Sequence, residues 1–481
     1  MTATGVDLSP APAAPPAGAA PRRWSPLELL APALVLVLGV VLLRPGHGLW
    51  FDELFTAEVA RRPLGEILSA IVQGEGVTSY LAGVPPSYNA PYYVVAHAWL
   101  SLPGLGGDTS LRVLSLVATA GGLGLLTRAV TRLAGLATGV LAGVVAAASP
   151  LLLEQAVEAR SYGLAVLATG ATALGLVRWL QEPPRGLLLF GLAGAGAGLA
   201  HWYGVTVVAA FVVAALLLRG RRALPLVFCG AAAALPTTLL IGMNLLNGTG
   251  GRNAEHLLDT DGGMVGLAVA AWAGGQPAFL CLTVVLAVLG AFRARGIRVV
   301  GAAWVLVPLL LLVTAELFRP VYLPRYLLAG LLGLAVLAAA GAFALPRPAR
   351  APAAALLLAC ALTASEPMTE RGPRERSDEL VATLAEVHRP GEPIVAADQR
   401  SALGLDHYVR TLAPQLRADV VLPPDDAPAD ADRVWLIRRL IDGVPEPTDD
   451  DEIMRAAGLR RTDVWNFSAS KTHLVLQLWE R

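Results

Sequence analysis

Long apolar stretches separated by short polar segments dominate the chain. A helix needs about 20 consecutive apolar residues to cross a bilayer about 30 Å thick, so this pattern predicts about eleven transmembrane helices, several near or below that length. The stretch 264–292 is broken near Gly274-Gly275-Gln276-Pro277. The predicted spans are residues 27–43, 111–130, 136–153, 162–180, 187–202, 205–218, 224–246, 264–292, 299–317, 327–345 and 351–364.

The composition supports a membrane protein. Hydrophobic residues make up 55% of the chain and charged residues 15%, and the mean hydropathy is +0.58. One water-soluble core could not bury this much apolar surface. The chain is therefore expected to be a polytopic membrane protein of mainly α-helical fold.

The arginines predict the orientation of the bundle, because short cytoplasmic loops retain basic residues. The clusters of arginines between the predicted spans all fall on the same side of the membrane if residues 92–102 form an interfacial helix and not a span. A twelfth span there would move Arg128 and Arg132 to the other side. We therefore expect a multi-pass protein of the plasma membrane with a cytoplasmic N-terminus. The clusters are Arg22 and Arg23; Arg128 and Arg132; Arg178 and Arg185; Arg219, Arg221 and Arg222; Arg293, Arg295 and Arg298; and Arg347 and Arg350.

Two segments lie outside the predicted bundle of residues 27–365. Residues 1–26 are rich in Ala and Pro and are expected to form a short disordered cytoplasmic tail. After about Ser365 the composition becomes that of a soluble protein, with helical stretches at 377–387 and 449–457. Short apolar runs at 393–397, 419–422, 433–437 and 472–479 alternate with them. This alternation predicts a small extracytoplasmic α/β domain over residues 366–481.

Several function classes find no support in the sequence. Cys229, Cys281 and Cys360 lie in apolar runs without metal-ligand spacing, so neither a disulfide framework nor a zinc site is expected. Basic and acidic residues balance at 37 each, which gives no sign of nucleic-acid binding. The C-terminal segment has no glycine-rich phosphate loop. The sequence therefore predicts no cofactor.

Polar and aromatic residues gather on the predicted outer side. The acidic pair Asp52-Glu53 follows the first span, and residues 54–71 have the spacing of a helix that lies in the membrane interface. Carboxylates, guanidinium groups and aromatic rings are thus expected on one face, which suggests a catalytic site. The other outer groups are in segments 85–93, His97 and Trp99, 154–162, 201–203 and 319–326.

These segments resemble the GT-C superfamily of membrane glycosyltransferases, in particular the family 39-like group that includes protein O-mannosyltransferases and lipid A aminoarabinose transferases. The resemblance covers about the first 330 residues. It implies a GT-C fold, a sugar donor on a polyprenyl phosphate and an acceptor approached from the extracytoplasmic side. It is carried by Trp50-Phe51-Asp52-Glu53, Tyr92-Tyr93 with His97 and Trp99, Glu158-Ala159-Arg160-Ser161-Tyr162, His201-Trp202-Tyr203 and Pro324-Arg325-Tyr326.

The resemblance also implies roles for single residues. Asp52 would be the general base, or the carboxylate that orients the acceptor nucleophile, with Glu53 in support. Arg160 and Arg325 are the candidates for the donor phosphate, because a guanidinium group offers a planar, permanently charged fork to phosphate oxygens. The remaining substrate-binding candidates are Asn89, Tyr92, Tyr93, Glu158, Tyr162, His201, Trp202 and Tyr203.

The chain departs from the family at one position. Relatives commonly have a second acidic residue shortly before the Tyr-Tyr pair, whereas this chain has Asn89 there. An amide can bind a sugar hydroxyl but cannot act as a base. Either one carboxylate suffices, or Glu158 takes the place of the missing acid, or activity is reduced or lost. No metal site is expected, because a hard cation usually takes more carboxylate oxygens than Asp52 and Glu53 provide.

Simpler interpretations remain for several of these residues. Arg319, Arg325 and Tyr326 could be interfacial anchors, and Trp202-Tyr203 could belong to an aromatic belt. His97 is expected to pack within the interfacial helix. The sequons at Asn247 and Asn466 match a motif that often occurs by chance.

Two alternative functions remain beside a glycosyltransferase. A lipid-linked sugar binder or flippase-like protein without turnover is favoured by the missing second acid. An ordinary solute transporter would call for internal repeats and polar residues at the bilayer midplane, and neither is seen.

Overall fold

The structure is a computed structural model. It describes residues 23–43, 46–81, 84, 86, 90–247, 264–294, 296–317, 323–423, 431–441, 444–445 and 450–481. The predicted tail up to residue 22, Asn89 and Arg319 lie outside the described residues, so the predictions made for them stay predictions.

The first part of the chain is helical. The helices before the long central segments are α1 (Leu30–Leu43), α2 (Phe51–Ala60), α3 (Leu64–Gln73) and α4 (Ala90–Leu100). Those that follow are α5 (Asp108–Ala134), α6 (Leu136–Ala147), α7 (Pro150–Ala156), α8 (Tyr162–Gln181), α9 (Leu187–Ala200), α10 (Gly204–Arg219) and α11 (Leu224–Leu246). The last five of the bundle are α12 (Met264–Trp272), α13 (Pro277–Arg293), α14 (Arg298–Glu316), α15 (Leu328–Ala344) and α16 (Arg347–Ser365).

Each predicted apolar stretch contains a helix in the structure, and three stretches also contain short non-helical breaks, at residues 148–149, 201–202 and 273–276. In the described part of the chain, seven helices are long and apolar enough to cross a membrane, or eight if α6 and α7, bent by 67°, form one span. One of the seven, Gly204–Leu246, contains both α10 and α11, joined by the short turn Gly220–Ala223. The chain is thus a multi-pass membrane protein, and the number of eleven spans stays a prediction.

Small residues allow the helices that carry the site to approach closely. A Cβ atom on Gly163 of α8 would lie 2.3 Å from the carbonyl oxygen of Ser115 in α5, and one on Gly122 would lie 2.6 Å from the backbone nitrogen of Leu167. Without hydrophobic attraction between helices in lipid, such close backbone packing contributes to helix association. It fixes the start of α8 against the N-terminal part of α5.

The segment predicted as one interfacial helix over residues 54–71 is two helices. Pro63 precedes α3 and has no backbone N–H, so α2 ends at Ala60 and the chain turns before α3 begins. The first turn of α2 contains Asp52 and Glu53, where the positive end of the helix dipole stabilises negative charge. The acidic pair is therefore part of a helix and not of a loop.

The C-terminal part forms the predicted small α/β domain. Its helices are α17 (Ser377–Val387), α18 (Gln399–Thr411) and α19 (Asp450–Ala456). Its strands are β1 (Ile394–Ala396), β2 (Val420–Val421), β3 (Arg433–Ile441), β4 (Val444–Pro445), β5 (Arg460–Ser468) and β6 (His473–Glu480). The sheet order is β2-β1-β3-β6-β5, with β4 paired to β3. Strand β1 is parallel to β2 and β3, whereas β6 is antiparallel to both β3 and β5.

The sequence pattern missed three of these elements: the two-residue strand β4, strand β5 and helix α18. Strand β5 lies at the edge of the sheet and exposes most of its residues, so it lacks the apolar run that a buried strand shows. Asp398 is the N-cap of helix α18, and its carboxylate accepts hydrogen bonds from the N–H groups of Arg400 and Ser401.

The C-terminal domain packs directly on α2. A single buried cluster includes Leu54 and Phe55 of α2 together with Leu380 and Leu403 of the domain. The backbone N–H of Leu49 donates a hydrogen bond of 2.6 Å to the Tyr408 hydroxyl. The acidic turn is therefore held between the helical bundle and the C-terminal domain.

Candidate functional site

Asp52 lies between two guanidinium groups from distant parts of the chain. Its Oδ2 atom is 3.6 Å from Nη2 of Arg160 and 3.6 Å from Nη2 of Arg325. Nη1 of Arg160 also donates to the backbone carbonyl oxygen of Asp52, at 3.4 Å. The Asp52 side chain is 20% exposed, so solvent or a ligand can reach it. The structure thus brings together three residues predicted to lie on one face.

The electrostatic surroundings keep the Asp52 carboxylate ionised. Burial alone would favour the neutral acid, but the nearby guanidinium groups outweigh it and lower the pKa of Asp52 below its usual range. Arg160 and Arg325 contribute most to this lowering, followed by Arg374 and Arg400 of the C-terminal segment. Asp52 is therefore an anion at neutral pH.

Glu53 has a different environment from Asp52. Arg112 donates to both of its carboxylate oxygens, at 2.8 and 2.6 Å, and the Ala159 N–H donates to Oε1 at 2.9 Å. The Trp50 N–H also donates to Oε2, at 3.4 Å. The side chain is 1% exposed. These contacts join the start of α2 to α5 and to the segment before α8, which favours a positioning role for Glu53.

Four aromatic rings form a cluster that includes Tyr326, the residue after Arg325 in the chain. The His201 ring centroid is 5.2 Å from that of Tyr162, 5.6 Å from that of Tyr203 and 4.9 Å from that of Tyr326. Tyr203 and Tyr326 stack with centroids 5.1 Å apart. Three of these rings were predicted site residues, and the structure places them in one aromatic cluster beside the charged centre.

Glu158 lies in a second charged group. Arg374 pairs with both Glu154 and Glu158, and Arg371 pairs with Glu154 at 3.2 Å. Arg374 also lies over the Trp50 ring, with 4.9 Å between the guanidinium carbon and the ring centroid. Burial, together with the charges of Glu154 and Glu53, raises the pKa of Glu158 to about 7, although Arg374 opposes this shift. Glu158 thus forms an ion pair with Arg374 of the C-terminal segment.

The raised pKa of Glu158 predicts a pH-dependent stability. Between the usual pKa of a glutamate and about 7, the folded protein holds a proton that the unfolded chain has lost. The free energy of unfolding should therefore decrease as the pH rises through this window, by at most about 3 kcal/mol. Denaturation of Glu158→Gln and the parent protein from pH 5 to 8 measures this difference. Parallel pH profiles of the two proteins would contradict it.

The remaining predicted residues lie on α4, in the turn before α10, or outside the described residues. Tyr92 and Tyr93 on α4 are buried, and the Tyr93 ring packs edge-on against Phe55 with centroids 5.8 Å apart. Trp202 lies in the turn between α9 and α10. Nδ1 of His97 donates to the carbonyl oxygen of Ala60 at 3.0 Å, as expected of a packing residue. Asn89 is not described, so its role stays a prediction.

Sequence reasoning missed several cations near the site. Arg112, Arg374 and Arg400 all affect the acidic turn, and two of them lie after residue 365. Arg112 follows the start of a predicted span, where an arginine is usually read as an interfacial anchor. Arg374 and Arg400 lie in ordinary soluble sequence, and no local pattern indicates that the C-terminal domain folds back onto α2.

A metal site finds no support in the described part of the chain, where no group of three or more His, Cys, Asp or Glu side chains is placed to hold an ion. The prediction of no metal remains open, because segments of the outer loops are outside that part.

Comparisons with known proteins identify the fold. No family model matches the chain, and no curated protein matches it at a significant level. Among solved structures, the chain is similar to ArnT from Cupriavidus metallidurans in the apo state. The TM-score is 0.57 and the sequence identity 16%, over 93% of this chain and 97% of that one.

A second structure, ArnT from Cupriavidus metallidurans bound to undecaprenyl phosphate, is also similar. Its TM-score is 0.55 and its identity 15%, over 93% of this chain and 97% of that one. The predicted GT-C fold is thus confirmed over nearly the full length. At this level of identity the likeness shows the fold alone.

Proposed function

We propose that the protein is an integral membrane glycosyltransferase that moves a sugar from a polyprenyl-phosphate donor to an extracytoplasmic acceptor. The observation that carries this proposal is the Asp52 carboxylate, partly exposed and placed between the guanidinium groups of Arg160 and Arg325. The similarity to ArnT bound to undecaprenyl phosphate supports a lipid-phosphate donor. Transfer of a glycosyl group needs a base for the acceptor and positive charge for the departing phosphate, and this site has both.

The distances suggest how the two arginines and the carboxylate would work together. At 3.6 Å, neither guanidinium makes a tight hydrogen bond to Oδ2, so both can turn toward phosphate oxygens. A bound phosphate would take up part of their positive charge. Asp52 would then lose some of the stabilisation that lowers its pKa and become a stronger base. Donor binding would in this way prepare the base for the acceptor.

The surrounding residues would restrict and orient the substrates. The cluster of Tyr162, His201, Tyr203 and Tyr326 offers aromatic faces for a sugar ring or a prenyl chain next to the phosphate position. Glu53 would hold α2 in place through Arg112 and the Ala159 N–H. The topology proposed with this function keeps the N-terminus cytoplasmic and the C-terminal domain, taken as residues 366–481, outside.

Donor binding tests the arginines directly. We expect Arg160→Ala to raise the donor KM or Kd about 10- to 100-fold, because a hydrogen bond to a charged group contributes about 1.5–3 kcal/mol and each 1.4 kcal/mol is a factor of ten. A titration with undecaprenyl phosphate measures the effect. The matched control is Arg417→Ala, which removes an exposed arginine of the C-terminal domain. Equal donor affinity of Arg160→Ala and the parent protein would remove Arg160 from the phosphate site.

A second function is favoured by one observation. Asn89 replaces the acidic residue that relatives commonly have, so a protein that binds lipid-linked sugars without transferring them is the alternative. Incubation of the purified protein with a radiolabelled polyprenyl-phosphate sugar and envelope lipids distinguishes the two. Transfer of label to the lipid fraction supports the enzyme, whereas donor binding without any release of polyprenyl phosphate supports the binder.

A further inference from the structure

A pocket of about 280 Å³ lies at the end of the helical bundle away from the acidic turn. Helix α8 begins at Tyr162, in the aromatic cluster, and ends at Gln181, just after Trp179 of the pocket wall. Helix α10 begins after Tyr203 and ends at Arg219, another residue of the wall. A helix of 20 residues such as α8 is about 30 Å long, which is about the thickness of the hydrocarbon core of a bilayer. The pocket is therefore distinct from the candidate active site.

The walls of this pocket are fixed by close contacts between helix ends. Gly186, between α8 and α9, has a φ of +101°, and a Cβ atom there would lie 2.4 Å from the carbonyl oxygen of Gly175. The chain thus turns tightly against α8 at this point. The Cys229 thiol of α11 donates to the carbonyl oxygen of Leu187 in α9, at 3.3 Å. The apolar part of the wall consists of Trp179, Pro183, Pro184, Leu187 and Pro225.

Two guanidinium groups complete the wall. Arg219 is the last residue of α10, and its Nη2 atom donates to the carbonyl oxygen of Leu180 at 2.6 Å. This bond holds the Arg219 guanidinium group at the end of α8. Arg222 lies in the turn Gly220–Ala223 that leads to α11, and its side chain is exposed. The neighbouring Arg221 is exposed as well but is not among the described wall residues.

The positive charge of the pocket is not compensated by a carboxylate in the described part of the chain. Segment 178–222 has five arginines and one acidic residue, Glu182. Glu182 pairs with Arg185 at 2.7 Å and with Arg132 at 3.5 Å, and neither arginine belongs to the described wall. Two guanidinium groups without an ion-pair partner, beside an apolar wall, favour an anionic ligand.

An apolar surface on α11 leads away from the pocket. Pro225 belongs to the wall, and Phe228, three residues later on the same side of the helix, is 71% exposed. Leu224, Leu235 and Leu239 are exposed along this side as well. Because α11 is part of a candidate membrane span, these side chains face lipid, and an acyl chain can lie along them.

The size and charge of the pocket indicate which part of a ligand enters it. Pockets that enclose a whole drug-sized ligand have about 300–1,000 Å³, so this one has room for a headgroup but not for acyl chains. Guanidinium groups make strong charge-assisted hydrogen bonds to phosphate oxygens. Basic pockets between membrane helices on the cytoplasmic side are known sites for anionic lipid headgroups.

We propose that this pocket binds the phosphodiester headgroup of an anionic phospholipid, with Arg219 and Arg222 on the phosphate oxygens and the acyl chains along α11. The lipid belongs to the leaflet opposite to the candidate active site, which is the cytoplasmic leaflet in the topology predicted from the arginines. It connects the turn after α8 to the turn between α10 and α11. It is a structural ligand of the bundle and is neither the sugar donor nor the acceptor.

Binding of radiolabelled phosphatidylglycerol to the purified, delipidated full-length protein in a neutral detergent tests this site. We expect Arg222→Gln to weaken the affinity about tenfold, because one charged contact to the phosphate is lost. The matched control is Arg221→Gln, which removes the same charge from the same turn but outside the described wall, and which should retain the affinity of the parent protein. Equal losses in the two variants would show attraction by general positive charge and would overturn the pocket, as would parent-like affinity of Arg222→Gln.

Competition against the bound label identifies the ligand. Unlabelled phosphatidylglycerol should displace it, whereas phosphatidylcholine, inorganic phosphate and undecaprenyl phosphate at the same concentration should not. Displacement by phosphatidylcholine would overturn the need for a net negative charge, and displacement by inorganic phosphate would overturn the assignment of a lipid. Displacement by undecaprenyl phosphate would assign the pocket to the lipid carrier instead of a phospholipid.

A last variant separates this pocket from the proposed donor site. Arg160→Ala, which should weaken donor binding, is expected to bind phosphatidylglycerol with the affinity of the parent protein. A loss of phosphatidylglycerol binding in Arg160→Ala would place the label at the donor site and overturn the proposal. None of these measurements needs sugar transfer, so they are independent of whether the protein is a glycosyltransferase.

Discussion

Asp52→Asn is expected to abolish sugar transfer while the protein remains folded. The amide keeps the size of the side chain but cannot accept a proton, and general base catalysis contributes about 10²- to 10⁴-fold to a rate. Loss of the negative charge also leaves Arg160 and Arg325 without the anion between them, so donor phosphate should bind at least as tightly as before. A fall in kcat without a rise in donor KM is the expected signature.

The measurement is transfer of radiolabel from a polyprenyl-phosphate sugar to envelope lipids by the purified variant. Asp463→Asn makes the same chemical change at an exposed position of β5 and should retain full activity. Chromatography and thermal unfolding of both variants establish that they are folded. Transfer by Asp52→Asn at the rate of the parent protein would exclude Asp52 as the base.

The positions of the apolar helices could be predicted because each leaves a local signal. Residues 162–180 were predicted as a span and the structure has a helix at Tyr162–Gln181, and the predicted strand 472–479 is His473–Glu480. Pro63 shows the limit of this reasoning. Apolar and charged residues on both sides of it share one helical spacing, but the missing N–H divides the predicted helix into α2 and α3.

The site could be predicted only in part, since its contacts join residues far apart in sequence. Orientation of the spans was enough to place Asp52, Arg160 and Arg325 on one face. No spacing rule could pair Glu53 with Arg112 or Glu158 with Arg374, because these contacts depend on how helices pack and on where the C-terminal domain docks. The contact of the β5–β6 turn with the segment after α16, made by backbone hydrogen bonds to Pro373 and Arg374, likewise joins residues far apart in sequence.

The two neighbouring acids illustrate why a motif does not assign roles by itself. Asp52 and Glu53 are adjacent in sequence, yet successive residues of a helix point about 100° apart. One carboxylate therefore reaches the partly exposed centre, where its side chain is 20% exposed, while the other is 1% exposed against α5. The same turn thus provides the carboxylate proposed as the base and the anchor that holds it.

Removal of Arg112, the ion-pair partner of Glu53, is expected to have the largest effect on the free energy of unfolding. Arg112→Ala would leave the Glu53 carboxylate buried with no opposing charge, which costs about 3–5 kcal/mol when one partner of a buried ion pair is removed. It would also free the carbonyl groups of His47 and Gly48, to which Arg112 donates at 2.9 Å. Chemical denaturation of the purified protein in detergent should show this loss.

The double variant Glu53→Gln/Arg112→Met separates a positioning role from a catalytic one. Removing both charges avoids the unpaired carboxylate, so much of the lost stability should return. If Glu53 only holds α2 in place, transfer activity should recover together with stability, because Asp52 is unchanged. Recovery of the fold without any recovery of transfer would show instead that the Glu53 carboxylate is needed for the reaction itself. In that case the acidic pair would act as two functional groups, and the tight contacts of Glu53 with Arg112 would have to open during turnover.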